Sequence, residues 1–336
     1  DQGCRTMSGG TMQAVVLGES GVEIAEVNIP KLKPTQILVK VSSCSVNRSD
    51  LLTVQGQNFG HVGGGAQKVI GASFCGEVVE VGPETEEWRL GDRVMSQGAA
   101  GWAEYAAGDW RRTLPVPADV DLLTGGSLMS SVVTMHDAIV TNGEFAPGQT
   151  LLMQGASSGV GLMGTQIAKH LGASLVIGTS TSAYKRDRLK EFGVDLALDS
   201  RDDGWVDAVL EATDGRGVDL TVDNISGYVA NGNLLATAVH GRIINVGRLG
   251  GQMAEINLEK HAERRLAYIG TTGRTRSIDD HAEVVRRARE DLWDTVSEGK
   301  FTMPIDKVFD ISEAAAALDY AASNAHLGRI MITFPG

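Results

Sequence analysis

Cysteine is scarce in this sequence of 336 residues, and the three that occur are Cys4, Cys44 and Cys75. They form no C-x-x-C pair and no Cys/His cluster, so the pattern excludes a disulfide framework and favours a reduced, cytoplasmic protein. No apolar run is long enough to span a bilayer, and the first residues lack the apolar stretch of a signal peptide. We therefore expect a cytoplasmic location and no membrane partner.

Positive charge is also in short supply, because 30 Lys and Arg stand against 42 Asp and Glu for a net charge of -12. An acidic chain of this kind is a poor candidate for binding nucleic acid or anionic membranes. We expect no nucleic-acid partner and a small molecule as the substrate. A site for a phosphorylated cofactor must then be a local positive patch.

Helical periodicity is missing from the first third, where short alternating segments predict antiparallel strands and turns up to about Leu122. Between about Thr134 and Gly273, runs of Val, Ile and Leu alternate with helical stretches. This alternation predicts an α/β fold with a doubly wound parallel sheet of the Rossmann type. The length suits two domains, and the final strand, GRIMITF, is expected to return to the sheet of the first domain.

The segment 154–173, QGASSGVGLMGTQIAKHLGA, lacks two of the three glycines of the dinucleotide fingerprint G-x-G-x-x-G. Its three slots hold Ala156, Ser158 and Gly161, all small enough for close approach of a pyrophosphate. A helix N-terminus supplies free N–H groups for phosphate. The alternative is an ordinary tight strand-to-helix turn. Its place at the first turn of the alternating pattern favours a dinucleotide, held by Ser157, Ser158, Gly159, Val160 and Gly161.

An acidic residue is missing at the end of the second strand, where NAD-preferring sites place one. No Asp or Glu occurs from Leu175 to Ala183. Hydroxyl groups and cations that suit a 2′-phosphate occur there instead. We predict NADPH as the cofactor, although the two cations also fit a solvated helix face. The predicted contacts are Ser180, Ser182, Lys185 and Arg186.

Three further residues follow the fourth and fifth strands of the predicted sheet. Ligands of open α/β sheets bind outside the carboxyl ends of the strands. We therefore predict that Asn224, Val246 and Gly247 contact the cofactor.

Together these segments resemble the zinc-free medium-chain dehydrogenase/reductase superfamily, and most closely its quinone oxidoreductase (zeta-crystallin-like) family. The segments that match are VNRSDLLTVQGQ, GEVVEVGP, GDRVM, GASSGVGLMGTQIAKHLGA, GRIINVGRLGG and LGRIMI. The resemblance implies a mostly β, GroES-like, partly open barrel formed by residues 12–133 and 274–336. It also implies an NADPH-binding Rossmann domain at 134–273 and a homodimer or homotetramer.

The metal ligands of the zinc-dependent relatives are absent. Those relatives carry Cys where this chain has Asn47, and a His-Glu pair where it has Ala72 and Ser73. Amide, methyl and hydroxyl groups do not replace thiolate and imidazole as zinc ligands, so we predict no metal. Enoyl-reducing relatives place a Tyr near Asn58 or Phe59, and its absence leaves the substrate class open.

The resemblance also implies roles for three residues. Asn47 faces the nicotinamide ribose and the substrate oxygen; the alternative is an Asn that only forms a turn. Asp50 either orients Asn47 or caps the following helix. Thr134 matches a family Thr that reaches the cofactor. The predicted catalytic residues are Asn47 and Asp50.

The function that we predict is NADPH-dependent reduction of a quinone or a related conjugated carbonyl as electron acceptor. One alternative is an enoyl-thioester or alkenal reductase on the same scaffold. The other is a non-enzymatic, crystallin-like protein that binds NADPH.

Overall fold

A computed structural model describes residues 9–19, 21–56 and 69–334 of the chain. These residues form two compact units. Unit 1 contains the described residues up to Ser130, together with Gly273–Glu298 and those from Met303 onward. Unit 2 contains Ser131–Thr272 and Gly299–Thr302. Asn58 and Phe59, near which the family Tyr is missing, lie outside the described residues.

The strands follow the predicted alternation. They are β1 (Thr11–Gly18), β2 (Gly21–Asn28), β3 (Gln36–Ser45), β4 (Ser73–Val81), β5 (Arg93–Gln97), β6 (Tyr105–Asp109), β7 (Thr113–Pro115), β8 (Thr150–Gln154), β9 (Leu175–Thr179), β10 (Leu196–Leu198), β11 (Val218–Asp223), β12 (Thr237–Asn245), β13 (Ala267–Gly270), β14 (Ile305–Asp310) and β15 (Arg329–Thr333).

The α-helices lie between them. They are α1 (Arg48–Val54), α2 (Leu122–His136), α3 (Gly159–His170), α4 (Ala183–Arg188), α5 (Trp205–Ala212), α6 (Ala230–Ala236), α7 (Leu258–Arg264), α8 (Ile278–Ser297) and α9 (Ala314–Ala322). No helix in the described part of the chain is both long and apolar enough to cross a membrane.

Unit 2 contains a six-stranded parallel sheet in the order β10-β9-β8-β11-β12-β13. Every residue of β8 is buried, as expected for a strand covered on both faces. The chain moves outward from β8 in one direction and then from β11 in the other, which confirms the predicted doubly wound Rossmann architecture. The carboxyl ends of all six strands lie at the same edge of this sheet.

Unit 1 contains a seven-stranded sheet in the order β14-β15-β3-β4-β5-β7, with β6 paired to β3. β15 pairs antiparallel with β3, which confirms that the last strand returns to the first sheet. β1 and β2 form the predicted hairpin. A core that includes Val39, Phe74 and Trp102 is buried against this mixed sheet, in agreement with a GroES-like domain.

The helix predicted from Tyr228 to Val239 is shorter than expected, because α6 ends at Ala236 and β12 begins at Thr237. The register of β12 against β11 shifts between its first pair and the pair Leu220–Arg242. The start of this strand is therefore an irregular extension, which the pattern of the sequence did not separate from the helix.

Candidate cofactor and active site

The turn between β8 and α3 requires glycine at two positions. Gly155 has a φ of +71°, a left-handed conformation that favours glycine. A Cβ on Gly161 would lie 2.4 Å from the carbonyl oxygen of Gly155 and 2.7 Å from the Cα of Ala156. The third glycine of the fingerprint therefore allows the helix to pack on the turn, as expected. The tight turn itself falls on Gly155, one residue before the slot that the fingerprint indicates.

Ser158 begins α3 as its N-cap residue. Its hydroxyl oxygen accepts a hydrogen bond from the backbone N–H of Gly161 at 3.1 Å, and the hydroxyl donates to the carbonyl of Gly155 at 2.9 Å. The hydroxyl hydrogen of Ser158 is thus used inside the turn. Within the described residues, the N–H groups of Gly159 and Val160 donate no hydrogen bond. These two donors, at the positive end of the helix dipole, are available to an anion.

The hydroxyl groups predicted for the 2′-phosphate lie next to this turn. The Oγ atoms of Ser157 and Ser180 are 3.0 Å apart, which joins the turn to the end of β9. Ser182 caps α4, and the buried Lys185 lies in the first turn of that helix. The structure thus brings these side chains to one corner of the sheet.

Arg186 is held by a partner that the sequence pattern did not indicate. Its Nη1 donates to the carbonyl of Ser180 at 2.7 Å and to the Asp199 carboxylate at 3.0 Å. Asp199 follows β10, the neighbour of β9, so only the pairing of these strands brings the two side chains together. The charge of Arg186 is therefore partly balanced within unit 2.

Asn224, Val246 and Gly247 meet at the carboxyl ends of β11 and β12. The N–H groups of Val246 and Gly247 donate to the carbonyl of Asp223. A Cβ on Gly247 would lie 2.6 Å from the carbonyl oxygen of Asn224. The Nδ2 of Asn224 donates to the carbonyl of Gln154 at 3.0 Å.

The other amide atom of Asn224, Oδ1, is buried and accepts no hydrogen bond from any described residue. Buried acceptors are nearly always satisfied by protein, water or a ligand. This acceptor and the two available N–H groups of α3 lie at the same sheet edge, so the residues present fit a dinucleotide. Thr134 lies on α2, and no hydrogen bond in the described part of the chain joins it to this group.

Unit 1 holds Asn47 in a buried polar cluster. The Nδ2 of Asn47 donates to the Oγ of Ser73 at 3.0 Å and to the carbonyl of Ser45 at 3.2 Å. Its Oδ1 accepts from Nη1 of Arg329 at 3.0 Å. Asn47 can therefore donate to a substrate only after one of these bonds is broken. Arg329 was missed at the level of sequence, where its only signal was a lone cation in an apolar strand.

Asp50 lies at the third position of α1, and Asn47 is the N-cap. The carboxylate of Asp50 accepts from the backbone N–H of Asn47 at 2.8 Å and of Ala72 at 3.0 Å. Asp50 thus orients the backbone at Asn47. Burial raises the pKa of Asp50 to about 7, although these N–H donors and Arg329 act in the opposite direction. Burial also lowers the pKa of Arg329 to about 10.

The side chains in this cluster do not fit the tetrahedral zinc site of the zinc-dependent relatives. Asn47 and Ser73 bind each other, and Ala72 contributes only its backbone. No group of three or more His, Cys, Asp or Glu among the described residues could hold a metal ion. Cys44 and Cys75 are buried, and burial raises the pKa of both thiols. The absence of zinc stays a prediction.

Curated relatives match most of this chain. One large protein of the phenolphthiocerol/phthiocerol polyketide synthase of Mycobacterium tuberculosis is 28% identical over 317 residues, or 94% of the chain. The chain spans only 14% of the length of that relative.

Solved structures match over nearly the whole chain. A mycobacterial quinone oxidoreductase is 25% identical, with a TM-score of 0.82 over 96% of this chain and 99% of that one. A mycobacterial protein complexed with NADPH is 24% identical, with a TM-score of 0.85 and the same coverage. The CurK enoyl reductase is 20% identical, with a TM-score of 0.84 over 97% of this chain and 100% of that one. The last two likenesses concern the fold alone.

Two family models cover most of the described sequence. The alcohol dehydrogenase GroES-like domain matches residues 33–141, and the zinc-binding dehydrogenase family matches residues 159–290. With the fold and the structural neighbours, these matches decide the family. The chain belongs to the medium-chain dehydrogenase/reductase superfamily of oxidoreductases and is quinone-oxidoreductase-like.

Proposed function

We propose that this chain is an NADPH-dependent, zinc-independent reductase of quinones or related conjugated carbonyls. The observation that carries the proposal is the corner between β8 and β9. There the available N–H groups of Gly159 and Val160 lie next to the Ser157–Ser180 hydroxyl pair. No carboxylate occurs from Leu175 to Ala183 to repel a 2′-phosphate. The NADPH complex of the mycobacterial structural neighbour supports this choice of cofactor.

The residues of unit 2 have distinct roles in holding the cofactor. The N–H groups of Gly159 and Val160 bind the pyrophosphate at the start of α3. Ser180, Ser182 and Lys185 bind the 2′-phosphate, and Lys185 supplies the positive charge. Asn224 accepts a hydrogen bond at its buried Oδ1. Arg186 contributes less, because Asp199 already balances part of its charge.

Bound NADPH supplies a hydride, so the chain itself needs to position the acceptor and to exclude side reactions. A quinone or an enone leaves an oxyanion that is easily protonated near neutral pH, and a strong general acid is therefore not required. Asp50 is unsuited to that role, because its carboxylate is buried and accepts two backbone N–H groups. We assign Asp50 to the positioning of Asn47.

An enoyl-thioester reductase is the second candidate, and the likeness to a polyketide synthase and to an enoyl reductase supports it. A thioester of coenzyme A or of a carrier protein brings phosphate groups that need cations. Of the cations considered in unit 1, Arg111 forms ion pairs with Asp109 and Asp279. Burial lowers the pKa of Arg112 and Arg48. These side chains do not offer a free phosphate groove, so the quinone proposal stands first.

The test is an acceptor screen that follows NADPH oxidation with ortho-quinones, para-quinones, enones and enoyl thioesters. We expect saturable turnover with at least one quinone and a higher kcat/KM for it than for any enoyl thioester. The control is the variant Gly161→Ala, which measures the background rate without a formed turn. Faster turnover of an enoyl thioester would favour the second candidate, and NADPH binding without any turnover would favour the non-enzymatic protein.

A further inference from the structure

Four polar side chains in unit 2 form a continuous hydrogen-bonded chain in which every member is 0% exposed. The hydroxyl of Thr179 donates to Oε1 of Gln154 at 2.7 Å. The Nε2 of Gln154 donates to Oδ1 of Asn233 at 2.8 Å, and the Nδ2 of Asn233 donates to Oδ2 of Asp223 at 2.9 Å. We call these four residues the buried relay.

The direction of the buried relay is fixed by its last member. An ionised carboxylate only accepts hydrogen bonds, so Asn233 must turn its NH₂ group to Asp223 and its carbonyl oxygen to Gln154. Gln154 must then turn its NH₂ group to Asn233 and its oxygen to Thr179. The hydroxyl of Thr179 must donate to Gln154, which leaves its lone pairs to accept. A backbone N–H fills that place.

The donor at the open end is the N–H of Gly155, which donates to Oγ1 of Thr179 at 3.1 Å. The next residue, Ala156, donates its N–H to the carbonyl of Thr179 at 2.8 Å. The first two residues of the turn are thus tied to one residue at the end of β9. The left-handed conformation of Gly155 is held from both sides.

The other end of the buried relay reaches the second candidate segment. The Oδ1 of Asp223 accepts the N–H groups of Ile225 and Ser226, both at 2.8 Å. These bonds bracket Asn224, whose Oδ1 is the unsatisfied buried acceptor. One set of hydrogen bonds therefore connects the pyrophosphate turn after β8 with the loop after β11.

We propose that Thr179, Gln154, Asn233 and Asp223 are positioning residues that hold the β8–α3 turn and the Asn224 loop in the geometry that binds NADPH. This inference rests on the proposed function, because it assigns a role toward the same cofactor. The side chains do not touch the ligand. They act through Gly155 and through the backbone on both sides of Asn224.

Thr213 offers a matched control at the opposite edge of the same sheet. It is also a buried threonine, its Oγ1 accepts the N–H of Gly217 at 3.0 Å, and its hydroxyl donates to the carbonyl of Val209 at 2.7 Å. Gly217 immediately precedes the amino end of β11. The change Thr213→Val therefore removes the same kind of hydrogen bonds as Thr179→Val, but far along the strand from the turn.

The experiment compares NADPH titrations and thermal unfolding of the full chain with Thr179→Val, Thr179→Ser and Thr213→Val. Both valine variants are expected to lower the melting temperature by similar amounts, since each leaves a buried glycine N–H without its acceptor. Only Thr179→Val is expected to weaken NADPH binding, by at least tenfold. Thr179→Ser keeps the hydroxyl and should bind within about twofold of the wild-type chain.

The outcomes separate this inference from the proposed function. Wild-type affinity in a folded Thr179→Val, or an equal loss of affinity in Thr213→Val, would overturn the positioning role while the NADPH site stands. A wild-type chain that does not bind NADPH would overturn the proposed function, and this inference with it. If Thr179→Val does not fold, Thr179→Cys, with its weak hydrogen-bonding thiol, takes its place under the same criteria.

Discussion

The contact between α3 and its preceding turn leaves no room for a methyl group at Gly161. A Cβ there would lie 2.4 Å from the Gly155 carbonyl oxygen and 2.7 Å from the Ala156 Cα, and both are backbone atoms. Gly161→Ala must therefore move the helix away from the turn. Overpacking of this kind costs about 1–3 kcal/mol. The better helix propensity of Ala returns up to about 1 kcal/mol.

The displaced helix also weakens the bond from the Gly161 N–H to Ser158 Oγ, which contributes about 1 kcal/mol. We expect a net loss of about 2 kcal/mol in the free energy of unfolding, or roughly thirtyfold in the equilibrium constant. NADPH binding should fall by at least tenfold, because the N–H groups of Gly159 and Val160 no longer point to one place. Denaturant unfolding and fluorescence titration on the same samples measure both quantities.

Gly164→Ala is the matched control on the same helix. A Cβ at Gly164 would meet Met153 Cε at 2.5 Å and Met135 Sδ at 2.7 Å, which are atoms of flexible side chains. We expect a change below about 1 kcal/mol and unchanged affinity for NADPH. The reasoning fails if the two alanine variants lose the same stability and affinity, or if Gly161→Ala binds NADPH as the wild-type chain does.

Three further predictions concern the cofactor, a buried carboxyl group and the metal. Lys185→Ala should raise the KM for NADPH at least tenfold, because a charge-assisted bond contributes about 1.5–3 kcal/mol, and should hardly change the KM for NADH; Lys190→Ala is the exposed control, and equal changes with both cofactors would contradict the role of Lys185. The pKa of Asp50 is about 7 in the folded chain and about 3.9 in the unfolded one, so the stability that Asp50 contributes should be lost as the pH rises from about 4 to 7. Denaturant unfolding of the wild-type chain and of Asp50→Asn should then diverge in their pH dependence across that window, and parallel curves would refute the shift. Metal analysis should find no stoichiometric zinc and chelators should not change the rate; one zinc per chain that is lost together with activity would contradict the account.

The sequence predicted the architecture well because its signals were local and repeated. The apolar runs at β8, β9, β11 and β12 alternate with helices, and this alternation alone implies the parallel sheet. The boundary between α6 and β12 was missed, since Thr237 and its neighbours also suit a helix end. That boundary is decided by pairing with β11, which lies outside any local pattern.

The candidate site could be predicted only in part, because several of its contacts join segments distant along the chain. Ser157 and Ser180 were both predicted, and the structure places their hydroxyl groups 3.0 Å apart. The partners that were missed are Arg329 on Asn47 and Asp199 on Arg186. Each partner comes from a neighbouring strand, so its position depends on strand order and register rather than on spacing in the sequence.

The central claim is that the corner between β8 and β9 binds NADPH through its pyrophosphate and its 2′-phosphate. Calorimetric titration of the wild-type chain with NADPH and, separately, with NADH tests this claim most directly. The account predicts one NADPH per chain and a Kd for NADPH at least tenfold below that for NADH, because charge-assisted contacts to the 2′-phosphate are absent with NADH. Equal or tighter binding of NADH, or no binding of either dinucleotide, would contradict it.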